Sequence, residues 1–133
     1  MVNLLWGWIR KMSNEITIDI NPVPKPRMVR SDSWKKRPIV LKYWAFKKEL
    51  VLKANKAKLK LGEELNIIFY LPMPDSWSKK KKELMNDKPH QQTPDLDNLT
   101  KSAQDCLCEQ DNFIWKLNCE KRWGYKGKII FKR

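Results

Sequence analysis

Residues 65–71, Leu65-Asn66-Ile67-Ile68-Phe69-Tyr70-Leu71, form a near-continuous apolar run closed by Pro72 and Pro74. β-Branched and aromatic side chains suit a pleated strand covered on both faces, and a proline cannot continue a central strand. This run is therefore expected to be the central strand of a sheet. Upstream, Tyr43, Phe46, Leu50, Ala54 and Ala57 recur every three or four positions, with Lys42, Lys48, Lys53 and Lys56 off that stripe. The spacing predicts an amphipathic helix over 43–57, broken by Gly62 before the strand begins. Further back, residues 16–20 (ITIDI) alternate apolar and polar and predict a first strand. The segment 21–27 (NPVPKPR) holds three prolines, which keep it extended and basic.

On the other side of the central run, residues 76–93 read as a basic, polar and mobile excursion. A second helix is expected from 97 to 108. Strands at 113–119 and 128–131 then close the sheet, turned through Gly124 and Gly127. The order β-α-β-α-β-β predicts an α+β fold, a small mixed β-sheet with two main helices packed on one face. It forms a single domain over residues 14–133. Residues 1–13 are an apolar N-terminal extension, in which Leu4, Leu5, Trp6, Trp8 and Ile9 pack over the sheet, join an interface, or belong to an upstream extension.

The chain has 133 residues, enough for one modest core, and 41% of them are hydrophobic, enough to fold. No apolar run approaches a membrane span. Three cysteines, Cys106, Cys108 and Cys119, cannot all pair, so a reducing, cytoplasmic setting is expected. Helical geometry points Cys106 and Cys108 about 200° apart, which argues against a zinc site with His90. With 28 Lys+Arg against 15 Asp+Glu the formal charge is +13, which predicts a polyanionic partner, nucleic acid or an anionic membrane surface. Candidate phosphate contacts are Lys25, Arg27 and Arg30 in the proline-basic region and the run Lys79, Lys80, Lys81 and Lys82. Most of the seven tryptophans are expected in the core, with Trp77, beside that lysine run, nearest nucleic acid.

The charge is uneven. Asp95, Asp97, Asp105, Glu109 and Asp111 share one short segment with a single cation, Lys101, so this island is −4 and the remainder of the chain is +17. A protein that only coats nucleic acid gains nothing from such an island, whereas a nuclease needs carboxylates to hold divalent metal against phosphate. The competing explanation is a solvated helix face. In an extended segment Asp95 and Asp97 project to one side. Asp97 or Asn98 would then cap the helix, on which Asp97, Lys101, Asp105 and Cys108 fall within roughly 80° of one another. Leu99, Ala103, Cys106 and Leu107 lie opposite. That same spacing also describes an i,i+4 salt-bridge ladder.

The run Pro94-Asp95-Leu96-Asp97-Asn98-Leu99, followed by Lys101 and Asp105, resembles the motif of the RusA family of Holliday junction resolvases. Asp111 matches the second aspartate of that family's acidic pair, where Gln110 replaces the first. Lys121 matches its closing lysine, and residues 22–27 resemble its N-terminal loop. The resemblance covers about residues 14–132. It implies an Mg²⁺-dependent endodeoxyribonuclease of DNA recombination and repair, a homodimer that binds and nicks four-way junctions or other branched DNA. Asp95, Asp97 and Asp111 would bind metal, with Mn²⁺ able to substitute, and Lys101 would be a catalytic lysine. Asp105 either orients Lys101 or ligates metal, and Lys121 joins the DNA-binding set. Asp32, outside this set, is expected to be dispensable for cleavage. The alternatives are a non-catalytic basic nucleic-acid-binding protein, or a broader branch or flap nuclease using the same site.

Overall fold

The computed structural model describes residues 15–108 and 111–132, together forming a four-stranded mixed sheet with helices. The elements in chain order are β1 (Glu15–Ile18), α1 (Pro38–Lys56), β2 (Glu64–Pro72), α2 (Lys79–Met85), α3 (Leu96–Leu107), β3 (Lys116–Gly124) and β4 (Lys128–Lys132). Short 3₁₀ turns occupy Arg30–Ser33 and Asp111–Phe113. The apolar segment before residue 14 lies outside the described residues.

The 65–71 run is an inner strand of the sheet, as expected. The sheet order is β1-β4-β2-β3, with β2 parallel to β3 and antiparallel to β4. Alternate β2 residues Leu65, Ile67, Phe69 and Leu71 face the helices, where they meet Phe46, Leu50 and Ala54 of α1 and Leu99 and Ala103 of α3. Both main helices therefore share one core with one face of the sheet. On the other face Ile68 of β2 is buried in register with Ile130 of β4, so the strand is apolar on both sides.

Four details depart from the sequence-based expectation. First, α1 starts at Pro38, where a ring-fixed φ and a missing N–H suit the first turn. It ends at Lys56, within a residue of the expected end, but the chain is reversed at Lys58 rather than at Gly62. Lys58 takes φ 56°, and the Lys58 and Leu59 amides return to the carbonyls of Asn55 (3.1 Å) and Ala54 (2.9 Å). This left-handed cap is usually built on glycine.

Second, β3 and β4 are consecutive but do not pair, because β2 lies between them. The intervening turn still needs its glycine: a Cβ at residue 127 would lie 2.0 Å from Asn21 Oδ1. Third, β3 begins at Lys116, since its register is set by β2 (Glu64 opposite Lys116) and the preceding residues form a 3₁₀ turn.

Fourth, residues 76–93 are tied down. Ser78 caps α2 by accepting from the Lys81 amide. Beyond α2, Asp87, Lys88 and His90 bond to the β3 backbone: Asp87 N to Trp123 O (2.9 Å), Trp123 N to Lys88 O (3.0 Å) and His90 N to Lys121 O (3.0 Å). The tryptophans also differ from expectation. Trp123 is buried, but Trp34 and Trp115 are each 66% exposed and Trp44 is exposed too.

Asp32 is a structural residue, not a free surface carboxylate. It is buried, receives Arg37 Nε and Nη2 at 2.7 and 2.8 Å, and accepts the Val29 amide at 2.7 Å. Arg37 also reaches the Arg27 carbonyl at 3.1 Å, fastening the basic loop to the start of α1. The Arg37 guanidinium and the Val29 N–H hold the Asp32 carboxyl below the usual carboxylate range. A depressed carboxyl stabilises the fold above its unfolded pKa near 3.8 and loses that contribution as pH falls through the folded value. Asp32→Asn should therefore lower the melting temperature by several degrees at pH 7 and narrow its gap from the parent below pH 3.8; equal melting at pH 7 would refute this role.

Candidate active site

The parallel β2–β3 pair requires a crossover, and α2 and α3 supply it. Residues 87–94 run along β3 before α3 begins. Asp95 is the N-cap of α3, extended at φ −69° and ψ 142°, and its carbonyl accepts the Leu99 amide at 3.1 Å. Neither Asp97 nor Asn98 caps the helix. Leu96 is already helical, so Asp95 and Asp97 are placed by a helix start and not by strand alternation.

An N-cap aspartate ordinarily bonds a free amide of the first turn. The Asp95 side chain makes no such bond. Asp95 and Asp97 are both exposed, and among the described residues neither carboxylate is in an ion pair. The helix dipole tolerates this clustered charge. Lys101 follows Asp97 by four residues on the same face, exposed, and among the described residues no ion pair joins it to Asp97 or Asp105. The salt-bridge ladder is not formed.

Asp105 is not ion-paired with Lys101. Its carboxylate pairs with the Lys25 ammonium from the proline loop, and the Lys25 amide donates to Asn98 O at 3.3 Å. Lys25 is thus a strut between loop and helix, while Arg27 and Arg30 remain exposed. Lys79 to Lys82 lie on α2, not in a loop, and Lys81 Nζ sits 4.2 Å over the Trp77 ring. Trp77 in turn packs at 4.7 Å on Trp123. Lys121 turns inward, donating to the carbonyls of Gln92 and Pro94, the latter at 2.7 Å. The Asp111 backbone lies in the 3₁₀ turn before β3; its side chain lies outside the described residues, as do Glu109 and Gln110.

The donors fit a hard divalent cation. Oxygen-only carboxylates, exposed and in no ion pair among the described residues, are what Mg²⁺ or Mn²⁺ takes. Two of the three expected ligands are described, and among the described residues no group of three His, Cys, Asp or Glu converges.

His90, set aside as a zinc ligand in the sequence, packs against β3, its amide donating to Lys121 O at 3.0 Å. It is buried, its ring 4.0 Å from that of Trp123, and its Nδ1 has no hydrogen-bond partner. Burial and the nearby Lys121 charge push its pKa below 6.5. The neutral form is therefore favoured in the fold, and stability is fully present above pH 6.5. It falls as pH drops from 6.5 toward the folded value, because the unfolded chain takes up the proton first. Urea titrations between pH 7.5 and 5 should show this loss, and His90→Phe should flatten it; an unchanged slope in that variant would refute the assignment.

The domain is basic and α+β, and among the described residues the carboxylates of Asp95 and Asp97 at the start of α3 are in no ion pair. Comparison with known families gives the class: the family described as endodeoxyribonuclease RusA matches residues 19–132 of the 133-residue chain. The chain belongs to the RusA family of endodeoxyribonucleases, the DNA-binding Holliday junction resolvases of recombination. No curated protein matches it. Among the described residues no helix is long and apolar enough to cross a membrane.

Proposed function

We propose that this protein is a divalent-metal-dependent endonuclease that binds four-way DNA junctions as a homodimer and nicks strands near the crossover. Asp95, Asp97 and Asp111 are the metal ligands, and Lys101 is the catalytic cation. The observation that carries this reading is the pair of exposed carboxylates at the start of α3, in no ion pair among the described residues, in a chain of this family.

Asp95, Asp97 and Asp111 would hold the divalent cation, which when bound would supply positive charge against the phosphate oxygens. The chain's own residues do the remainder. Lys101 donates N–H groups to oxygens where negative charge grows in the transition state. Because Asp105 is committed to Lys25, it does not compete for that ammonium. Arg27, Arg30 and the α2 lysines hold backbone phosphates away from the reacting centre. Two symmetric incisions need two sites, and a two-fold dimer of single-site chains matches the junction's symmetry.

The test is incubation with a four-way junction, a matched duplex and a single strand, with and without Mg²⁺. Junction cutting should appear in Mg²⁺ or Mn²⁺ and vanish in EDTA. Binding should persist in EDTA, since the chain outside the acidic island is +17, and weaken steeply with salt. Full cutting in chelator would overturn the carboxylate–metal reading. Sedimentation showing only monomer, with cutting intact, would remove the dimer.

A further inference from the structure

Lys121 occupies an unusual position for a lysine. In the parallel register of β2 and β3 it lies opposite Phe69, whose side chain is in the helix-covered core. Laterally paired residues of a sheet point to the same face. The Lys121 stem therefore lies on the covered face, half-buried, and its ammonium must find acceptors there. It finds two main-chain carbonyls, those of Gln92 and Pro94. Its own carbonyl accepts the His90 amide at 3.0 Å. One residue of β3 thus grips the incoming segment at positions 90, 92 and 94, and the next residue along is Asp95.

That grip has a clear consequence. Asp95 and Asp97 carry like charges at an exposed helix start, and no side-chain cap holds the first turn. Repulsion between them favours swinging the turn apart, whereas chelation needs them held together. We propose that Lys121 is a positioning residue: by fastening the Gln92 and Pro94 carbonyls to β3 it fixes the backbone that presents Asp95 and Asp97 for metal, and it does not contact DNA. This inference rests on the metal-site reading above and adds to it a residue that touches neither metal nor phosphate.

Two substitutions in the full-length protein test it. Lys121→Met keeps the apolar stem and removes the ammonium. Lys121→Arg keeps the charge but replaces the compact ammonium with a broad planar fork that does not fit the same seat. Three measurements are made on each: exchange of the Leu99 amide, which donates to Asp95 O, in metal-free protein; Mn²⁺ affinity by calorimetry without DNA; and metal-free junction binding across a salt series. Both variants should exchange Leu99 faster and bind Mn²⁺ about 10- to 100-fold more weakly, the range for residues that orient metal ligands. Metal-free junction affinity and its salt slope should match the parent.

If Lys121→Met instead reduces the salt slope by about one while Mn²⁺ affinity holds, Lys121 is a phosphate contact and the inference is overturned. Should Lys121→Met fail to fold, Lys121→Arg decides, and parental exchange and Mn²⁺ affinity in that variant overturn the inference. Absence of Mn²⁺ binding by the parent would instead be failure of the metal-site reading; Leu99 exchange would still decide whether Lys121 holds the Asp95 turn.

Discussion

Asp97→Asn should cut junctions on the order of 1000-fold more slowly than the parent while binding them at least as tightly without metal. The substitution keeps size and shape and removes one negative charge from an exposed side chain in no ion pair among the described residues. Folding is therefore expected to survive, and relieving repulsion with Asp95 favours the metal-free state. If Asp97 is one of the three proposed metal ligands, losing its charge removes metal-borne charge stabilisation of several kcal/mol, and each 1.4 kcal/mol or so is tenfold in rate. Asp95→Asn should behave alike. Metal-free binding holds or strengthens because the surface facing the phosphates becomes less negative. Asp32 cannot serve as a control, given its bridge to Arg37. Glu63→Gln, an exposed carboxylate next to β2, is the suitable one. Single-turnover cutting by Asp97→Asn at the parental rate would remove the proposed site.

Lys101→Ala is the second large effect, expected to slow cutting roughly 100- to 1000-fold, the loss typical of one charge-stabilising donor. Junction affinity should barely move, because one cation among 28 Lys+Arg contributes little to phosphate attraction. Mn²⁺ affinity should not fall either, which separates Lys101 from the carboxylates. The measurement is single-turnover rate beside a binding isotherm. Equal losses in both would make Lys101 a binding residue only.

Local pattern explains what could be read in the sequence. The cores of β2, α1 and α3 follow from runs and periodicities within a few residues, and the Asp95–Asp97–Lys101 spacing is local in the same sense. What was misread depends on partners far along the chain. β3 is a polar edge strand whose start is set by pairing with β2, so the apolar residues before it misled. The 76–93 excursion looks mobile until its backbone bonds to β3 are known. For Lys25 and Lys121 the sequence offers only the default expectation of a lysine in a basic protein, a phosphate contact, and says nothing of their partners within the fold. Only the fold reveals that one meets Asp105 and the other the Gln92 and Pro94 carbonyls. The end of α1 was legible to within a residue, but the reversal was assigned to Gly62 because a lysine at positive φ carries no sequence signal.

The sheet order also sets the hazards of assembly. β2 must be flanked by β3 and β4, yet both follow it by a long stretch of chain, and among the described strands β1 pairs with β4 alone. Until those distant segments arrive, Leu65-Asn66-Ile67-Ile68-Phe69-Tyr70-Leu71 is an uncharged, apolar, β-prone ribbon with both edges open. Such ribbons pair with copies of themselves. Non-local pairing is also slow, so the exposure lasts. Refolding yield should therefore decline as protein concentration rises, with aggregation seeded from the strand that ends up deepest in the native sheet.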